Sequence, residues 1–556
     1  MLVLSLVRTL LFVAAHGGTI MKAARVGLLV SGLLAAWAMP AHAGNDLLAA
    51  TCNSNDVQTT MNAAANGDRV LIPDGICTWT TQVTMPVGSE KAVTIRGQHD
   101  CTLDAKGRSI SCPTVLVDNI PKGNRAASIL MLLNTMARKD VRVSHLELRG
   151  QALDPNVQNQ GTIAVRGGTQ TLRIDHVFCN KPSTACFITH DNVIGLIDHN
   201  NFDISVDLTG QNKKYPNGIV AFLENYGGTG GYGDLSFASP TGLGSSRALF
   251  IEDNLAIGEG LDGTPFVDHA GGSRVVIRRN DIVNEQTGGH GTDSGFRVRG
   301  ERQYEIYDNT FTNTISPPIV KAIGSRGGTG VIYNNTIGGS VGFKYVVNLA
   351  VFRSHGPLWA PYGQCVGAVT VSSITRSGSV ATATTVSEHG VVTGAGLNTW
   401  ITIAGADQAE YNRNFFAVRV SSTQFTFTVV GTPATPATGT ITAKTSFDGH
   451  QQANGYPCLD QVGRGQGDLL AGNAAAFSPV GWLHQALEPV CIWNNSGWTI
   501  GHVNPQDPAW TTLNVDYYVN ATTKPSACAS YTPYPYPHPL QADTTPPGAS
   551  TNVRVQ

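Results

Sequence analysis

The chain has 556 residues, of which 41% are apolar and only 14% are charged, and its formal net charge at pH 7 is −2. A chain of this length can bury a large core, but globular domains carry about 25% charged residues, so much of this surface must consist of Thr, Ser, Asn and Gly. The small net charge provides no overall basic field, which excludes nucleic acid as an expected partner.

The first 43 residues have the pattern of a signal peptide. Lys22 and Arg25 precede an apolar run, and Ala41-His42-Ala43 provides the small residues that predict cleavage after Ala43. No apolar run in this region reaches the about 18 uninterrupted residues of a membrane span. We therefore expect a secreted or periplasmic protein, without membrane insertion of the mature chain.

The ten cysteines all follow this segment, and an even number in an exported chain predicts disulfides. The expected pairs are Cys101–Cys112, Cys179–Cys186, Cys52–Cys77 and Cys365–Cys458. Because no pair has the Cys-x-x-Cys spacing, a zinc or redox motif is not expected.

A four-residue phrase that begins with isoleucine and ends with asparagine recurs along the chain. It occurs as Ile197-Asp198-His199-Asn200, Ile251-Glu252-Asp253-Asn254, Ile277-Arg278-Arg279-Asn280, Ile306-Tyr307-Asp308-Asn309, Ile332-Tyr333-Asn334-Asn335 and Ile492-Trp493-Asn494-Asn495. The middle four isoleucines are 26, 29 and 26 residues apart, an interval typical of repeat architectures. We expect one coil of a parallel β-solenoid per repeat, with the isoleucines stacked inside and the asparagines hydrogen-bonding at a corner.

This asparagine ladder, the short β runs and the signal peptide resemble the secreted right-handed parallel β-helix proteins of the pectate-lyase-like superfamily. The resemblance covers about residues 50–365 and 447–530. It implies an all-β fold, a right-handed parallel β-helix. It does not fix the activity, since the superfamily includes polysaccharide lyases, glycoside hydrolases, esterases and non-catalytic surface proteins.

The composition divides the chain into five segments. After the signal peptide, residues 44–366 are expected to form the β-helix, and residues 367–446 an inserted small antiparallel β domain, since Phe425-Thr426-Phe427-Thr428 alternates as a half-buried strand does. Residues 447–530 complete the β-helix, and residues 531–556 form a tail rich in Pro and Thr.

Polar residues recur at the place seven or eight residues before the ladder isoleucine. They are Arg166, His190, His269 and Arg299. Because side chains alternate across a strand, we expect an outward stripe, with Arg297 on the same face. If Gly300 and Gly324 mark the same strand end, Lys321 stacks on Arg297. His290 and Asp293 are expected on a loop beside the stripe.

Such a cationic stripe suits a linear acidic polysaccharide, because Arg and Lys pair with carboxylates. β-Elimination needs a cation that neutralises the uronate carboxylate, a base for the C5 proton and an acid for the leaving oxygen. We assign neutralisation to Arg297 and Arg299, the base to Lys321 or His290, and the acid to His269. Arg166, His190, Arg297 and Asp293 are the expected substrate contacts. Asp268 or Asp293 would orient the acid or bind Ca²⁺, with Asp268 as the first choice for the metal.

The expected function is therefore an exported lyase that cleaves a uronate-containing polysaccharide and acts as a monomer. One alternative is a glycoside hydrolase on the same fold, with Asp268 and Asp293 as the two carboxylates, about 5 to 9.5 Å apart. Another is a non-catalytic surface or adhesive protein that binds glycans, which the low charge and the inserted domain favour.

Overall fold

The computed structural model describes residues 44–121, 130–135, 140–150, 161–167, 172–183, 185–190, 193–205, 218–222, 241–259, 265–291, 300–350, 368–391, 399–444, 462–466, 486–497, 503–505, 508, 511–542 and 553–555. The predicted signal peptide lies outside these residues.

The elements are numbered in chain order. The first group comprises β1 (Asp46–Leu48), α1 (Ser54–Ala63), β2 (Arg69–Ile72), β3 (Gly75–Trp79), β4 (Val83–Met85), β5 (Val93–Gly97), β6 (Thr102–Leu103), β7 (Ser109–Ser111), β8 (Thr114–Asp118), β9 (Met131–Asn134), β10 (Val141–Gly150), β11 (Ile163–Arg166), β12 (Leu172–Asn180), β13 (Phe187–His190), β14 (Gly195–Asp198), β15 (Asn201–Asp203) and β16 (Ile219–Phe222). The second comprises β17 (Leu249–Glu252), β18 (Leu255–Ile257), β19 (Val267–Ala270), β20 (Arg274–Arg278), β21 (Asp281–Val283), β22 (Thr287–Gly289), β23 (Gln303–Tyr307), β24 (Thr310–Thr312), β25 (Ile319–Ser325), β26 (Thr329–Tyr333), β27 (Thr336–Gly338) and β28 (Phe343–Leu349). The third comprises β29 (Val369–Ser377), β30 (Val380–Thr385), β31 (Thr399–Ala406), β32 (Asn414–Arg419), β33 (Gln424–Thr428), β34 (Gly439–Lys444), β35 (Arg464–Gln466), β36 (Ala486–Leu487), β37 (Val490–Trp493), β38 (Val503–Pro505), β39 (Tyr517–Asn520) and β40 (Val553–Val555), with 3₁₀ turns at Ala409–Tyr411, Ser526–Cys528 and Pro539–Gln541.

The predicted parallel β-helix is confirmed. Twenty of the described strands form one sheet and ten form a second, and every pairing within these two sheets is parallel. A typical coil contributes one strand to the second sheet (β13) and two consecutive strands to the first (β14 and β15). The ladder isoleucines lie in register, Ile251 with Ile277 and Ile277 with Ile306, and are fully buried.

The predicted asparagine ladder is confirmed as a chain of buried hydrogen bonds. The side-chain amide of Asn280 donates to Asn309 Oδ1 at 3.0 Å and to the carbonyl of Ile251 at 2.9 Å. Its own Oδ1 accepts from the backbone N–H of Asn254 at 3.0 Å. Each asparagine therefore satisfies buried polar groups of its own coil and of both neighbouring coils.

The residue that precedes the ladder asparagine has a left-handed backbone conformation in every repeat of the phrase. The φ values are 54° at His199, 59° at Asp253, 57° at Arg279, 56° at Asp308, 55° at Asn334 and 49° at Asn494, and the equivalent positions of two earlier coils, His145 and His176, have φ of 54° and 52°. Asn, Asp and His are the side chains most often found in this conformation. The turn therefore selects residue types at this corner, and its side chain points out of the solenoid.

Residues 368–391 and 399–444 contain a closed antiparallel barrel with the strand order β29-β30-β33-β32-β31-β34. Phe425 and Phe427 alternate inward in β33 and pack with Ile374 and Ile403 in a core of their own. This small barrel is the antiparallel module that the Phe-Thr alternation predicts.

Three of the expected disulfides are formed, namely Cys52–Cys77, Cys101–Cys112 and Cys179–Cys186. A further bridge joins Cys491 to Cys528, and Cys365 and Cys458 lie outside the described residues. The hydroxyl of Tyr531 donates to Glu305 at 2.7 Å, so the segment after this bridge packs on the outer face of the first sheet. In the part of the chain that the structure describes, no helix is long and apolar enough to cross a membrane.

Candidate functional site

The outer face of the second sheet carries a polar stripe at the carboxyl ends of its strands. Arg166 is in register with His190, as predicted. Three coils further on, the same row reaches His290, directly after β22, and then Arg326, directly after β25, two residues beyond the register pair Gly288–Gly324. At about 4.8 Å per coil, His190 and His290 lie about 14 Å apart along the axis.

His290 is held between a cation and an anion. Its Nδ1 lies 2.9 Å from Nη1 of Arg326, and its Nε2 lies 3.0 Å from Oδ1 of Asp268. Because a guanidinium can only donate, Nδ1 must carry a lone pair, and the ring proton of the neutral imidazole is then on Nε2, facing the carboxylate. The side chain of His290 is 18% exposed while that of Asp268 is 3% exposed, so solvent reaches the imidazole and the carboxylate lies beneath it.

Glycines lie beside this group in two consecutive coils. Asp268 is in register with Gly288 and Gly288 with Gly324, so both coils present glycine next to the carboxylate. Among the described residues, a Cβ on Gly288 would meet Pro265 alone, at 3.5 Å. The side chain of Lys321 lies along Gly324, with its Cε 2.8 Å from the place of a Cβ there. Asp268, His290, Arg326 and Lys321 thus lie around these two glycines on the second sheet.

A buried carboxylate lies beneath the site on the inner face of the same strands. Oε1 of Glu301 accepts from the backbone N–H of Arg326 at 2.8 Å, and the N–H of Glu301 donates to the carbonyl of His290 at 2.7 Å. Oε2 of Glu301 lies 3.2 Å from Nδ1 of His269. A Cβ on Gly289 would fall 1.8 Å from the same Oε2. Glu301 therefore fixes the backbone at both His290 and Arg326.

The predicted outward position of His269 is wrong. It is in register with Ala221 and Gly289, and its ring is fully buried inside the solenoid, where burial lowers its pKa to about 3. The outward row passes instead through Ala270, seven residues before Ile277. A shift of one residue along a strand moves a side chain to the opposite face, so His269 has no route to a polysaccharide.

The predicted stacking of Lys321 on Arg297 rested on a match of Gly300 with Gly324, whereas Gly324 is in register with Gly288. Arg297, Arg299 and Asp293 lie outside the described residues, so their assignments stay predictions.

Arg326 was not identified from the sequence. It lies six residues before the ladder isoleucine Ile332, just outside the interval of seven or eight residues, and directly after a strand, as His290 does.

Ca²⁺ at Asp268 also stays a prediction. Ca²⁺ takes six to eight oxygen ligands. A close neighbour of the Asp268 carboxylate is the imidazole of His290, a nitrogen donor.

Comparison with known proteins gives little beyond this geometry. No protein-family model and no curated protein matches the chain. Three solved chains match, and one of them is the crystal structure of alginate lyase from Paenibacillus sp. str. FPU-7. That likeness has 12% sequence identity and a TM-score of 0.22, and it covers 55% of this chain and 97% of that chain. At this score it supports no inference about activity, so the function must be inferred from the side chains themselves.

Proposed function

We propose that the protein is a polysaccharide lyase that cleaves a uronate-containing polysaccharide by β-elimination at the Asp268–His290–Arg326 group. The observation that carries the proposal is the position of His290, on the outer face of the second sheet and in contact with one guanidinium and one carboxylate. β-Elimination at a uronate needs a neutral base beside a cation that binds the carboxylate.

The first step is an exchange of partners at Arg326. A uronate carboxylate offers the guanidinium two oxygens and full negative charge, which makes a stronger contact than an imidazole nitrogen does. When Arg326 pairs with the carboxylate, Nδ1 of His290 is left with its lone pair beside the C5 hydrogen. Substrate binding thus both acidifies the proton and uncovers the base.

Proton transfer then follows with a complete electron balance. Nδ1 takes the C5 proton, and the electron pair of the C5–H bond forms the C4–C5 double bond as the C4–O bond breaks. Arg326 stabilises the charge that develops on the carboxylate, and Asp268 stabilises the imidazolium through Nε2–H. Lys321 lies on β25, the strand that ends directly before Arg326, and its ammonium group can protonate the leaving oxygen.

The stripe also suits a long acidic substrate. Arg166 lies four coils from His290, about 19 Å along the axis, with His190 between them. Cationic groups at these intervals can hold further carboxylates of the same polymer. The disulfides are consistent with export to an oxidising compartment, where such polymers occur.

The test is an assay on a panel of uronate polymers that records both ultraviolet absorbance of unsaturated products and new reducing ends. Wild type should produce both signals on at least one polymer. His290→Gln should lower kcat by about 10²-fold or more, as loss of a general base does. Arg326→Lys should mainly raise KM, since the charge stays but the two-pronged contact is lost. Arg376→Lys, in the barrel, is the matched control and should match wild type.

Reducing ends without unsaturated products would contradict elimination and favour the hydrolase. Binding without any product across the panel would favour a glycan-binding protein. The same assay with a chelator, and then with added Ca²⁺, tests the metal prediction at Asp268 independently of the His290 variant.

A further inference from the structure

Three imidazoles stack on the outer corner of the solenoid, on the first sheet and away from the proposed lyase site. His145, His176 and His199 occupy the left-handed corner position in three consecutive coils. The ring centroids are 4.9 Å apart between the first two and 5.5 Å apart between the last two, with interplanar angles of 9° and 11°. The spacing follows that of the coils, so the backbone itself sets these rings side by side.

The fold does not require histidine at this corner. The later coils fill the same position with Asp253, Arg279, Asp308, Asn334 and Asn494. Asn, Asp and His are the side chains most often found at a positive φ. The turn thus accepts histidine without requiring it, and histidine in three consecutive coils brings three imidazoles together at one corner.

Buried carboxylates orient two of the three rings. Nδ1 of His176 lies 2.7 Å from Asp175, and Nδ1 of His199 lies 2.8 Å from Asp198. Both carboxylates are fully buried and already paired with arginine, Asp175 with Arg142 at 2.7 Å and Asp198 with Arg173 at 3.0 Å. An Nδ1–H···carboxylate bond leaves the lone pair on Nε2, the arrangement that orients histidine ligands of metal ions.

We propose that this histidine ladder binds a divalent transition-metal ion of the Zn²⁺ class, with His176 as the central ligand and an adjacent ring, His145 or His199, as the second. Nitrogen and oxygen donors of His145, Asp175 and His176 all lie within 4.8 Å of one another. Two nitrogens on one tetrahedral Zn²⁺ lie about 3.4 Å apart and their lone pairs converge on the ion. The nearly parallel rings, whose centroids are 4.9 and 5.5 Å apart, therefore have to rotate toward each other when the ion binds. Imidazole donors favour Zn²⁺, Ni²⁺ or Cu²⁺ over Ca²⁺ or Mg²⁺.

Solvent reaches this corner, and a third donor lies beside it. The side chains of His145, His176 and His199 are 12%, 19% and 23% exposed. The carboxylate of Asp100, which is 73% exposed, lies 3.6 Å from Nε2 of His145 and also pairs with Arg96, so a bound metal ion has to compete with that guanidinium for it. The disulfide-closed hairpin of β6 and β7 reaches over the ladder with Gly107, whose missing side chain leaves space beside His199. Two imidazoles, one carboxylate and a water complete a tetrahedral set.

The experiment is calorimetric titration of the full chain, without an added histidine tag, with Zn²⁺ and separately with Ca²⁺. The variants are His145→Asn, His176→Asn and His199→Asn, because asparagine is the residue that the fold uses at Asn334 and Asn494 and should keep the turn. His99→Asn is the matched control, an exposed imidazole with its own partner, Asp74, at 2.6 Å. Thermal unfolding of each apo variant verifies that the fold is kept.

We expect one Zn²⁺ per chain, at least tenfold weaker binding in His176→Asn and in one of the two neighbouring variants, and no change in His99→Asn. Replacement of Zn²⁺ by Co²⁺ should give the visible absorption of a tetrahedral site with nitrogen ligands. Absence of Zn²⁺ binding at 100 µM free ion, roughly the weakest affinity of a specific site, would overturn the proposal. Unchanged affinity in a folded His176→Asn variant, or in both neighbouring variants, would overturn it equally.

Discussion

Gly289→Ala is the substitution that best tests how the interior of the solenoid supports the proposed lyase site. The new Cβ would point inward and fall 1.8 Å from Oε2 of Glu301 and 2.1 Å from its Cδ. A contact of 3.0 Å requires the carboxylate to move by at least 1.2 Å, which breaks its 2.8 Å bond from the N–H of Arg326. Overpacking costs about 1–3 kcal/mol, and the lost hydrogen bond to a charged group costs about 1.5–3 kcal/mol.

Unfolding in urea, followed by circular dichroism, should therefore show a loss of about 2.5–6 kcal/mol. Because Glu301 also holds the backbone of His290, the loss should extend to catalysis. A misplacement of about 1 Å lowers kcat by about 10²-fold, with a smaller effect on KM. Gly338→Ala is the matched control, since a Cβ there meets nothing within 4 Å.

A second variant separates displacement of the carboxylate from a general loss of stability. Glu301→Gln keeps an oxygen for the N–H of Arg326 but removes the charge. If Gly289→Ala acts through Glu301, the double variant that carries Gly289→Ala and Glu301→Gln should lose less in log kcat than the sum of the losses in the two single variants. Unfolding of Gly289→Ala like wild type, or additive losses in the double variant, would refute the role that we give to the buried carboxylate.

Three further predictions follow from buried contacts. Asn280→Ala should lose about 3 kcal/mol in urea unfolding, because several buried ladder partners lose their hydrogen bonds, whereas Asn62→Ala on the exposed face of α1 should change stability by less than about 0.5 kcal/mol. Cys528→Ser should lose about 4 kcal/mol, the chain-entropy value for the 37-residue separation of its disulfide, and equal unfolding midpoints would contradict this. Burial raises the pKa of Glu305, which accepts a hydrogen bond from Tyr531. The contribution of Glu305 to stability is therefore greatest below the unfolded pKa of about 4.3, and it declines as pH rises through the folded pKa. Glu305→Gln should accordingly melt higher, relative to wild type, at pH 8 than at pH 4, and a constant difference would refute this assignment.

The parallel β-helix was predictable because its repeating residues each have a geometric reason. An isoleucine such as Ile277 must fill the interior of each coil, and an asparagine such as Asn280 must satisfy buried polar groups of three coils, so both recur at a fixed place. The barrel was predictable from the alternation at Phe425 and Phe427 for the same reason, since one face of a strand is buried. Patterns that packing imposes on every repeat are visible in one sequence.

The site was less predictable because it depends on the length of turns, which packing does not fix. Arg166 and His190 lie in register although one is eight and the other seven residues before its ladder isoleucine. The same tolerance of one residue placed His269 on the wrong face. Arg326 is six residues before Ile332, outside the interval of seven or eight residues, so only the observed register brings it to His290.

Register also couples the two faces of the second sheet at the proposed site. Asp268 faces outward and its neighbour His269 faces inward; Gly289 likewise lies inside and the adjacent His290 outside. Glu301 contacts the inner member of each pair, and through the N–H of Arg326 it reaches the third outer residue. Because a parallel coil cannot move one face without the other, the spacing of the outer Asp268, His290 and Arg326 is set by what fits around one buried carboxylate. A glycine at position 289 is therefore a requirement of the outer site, although it contributes no atom to that site.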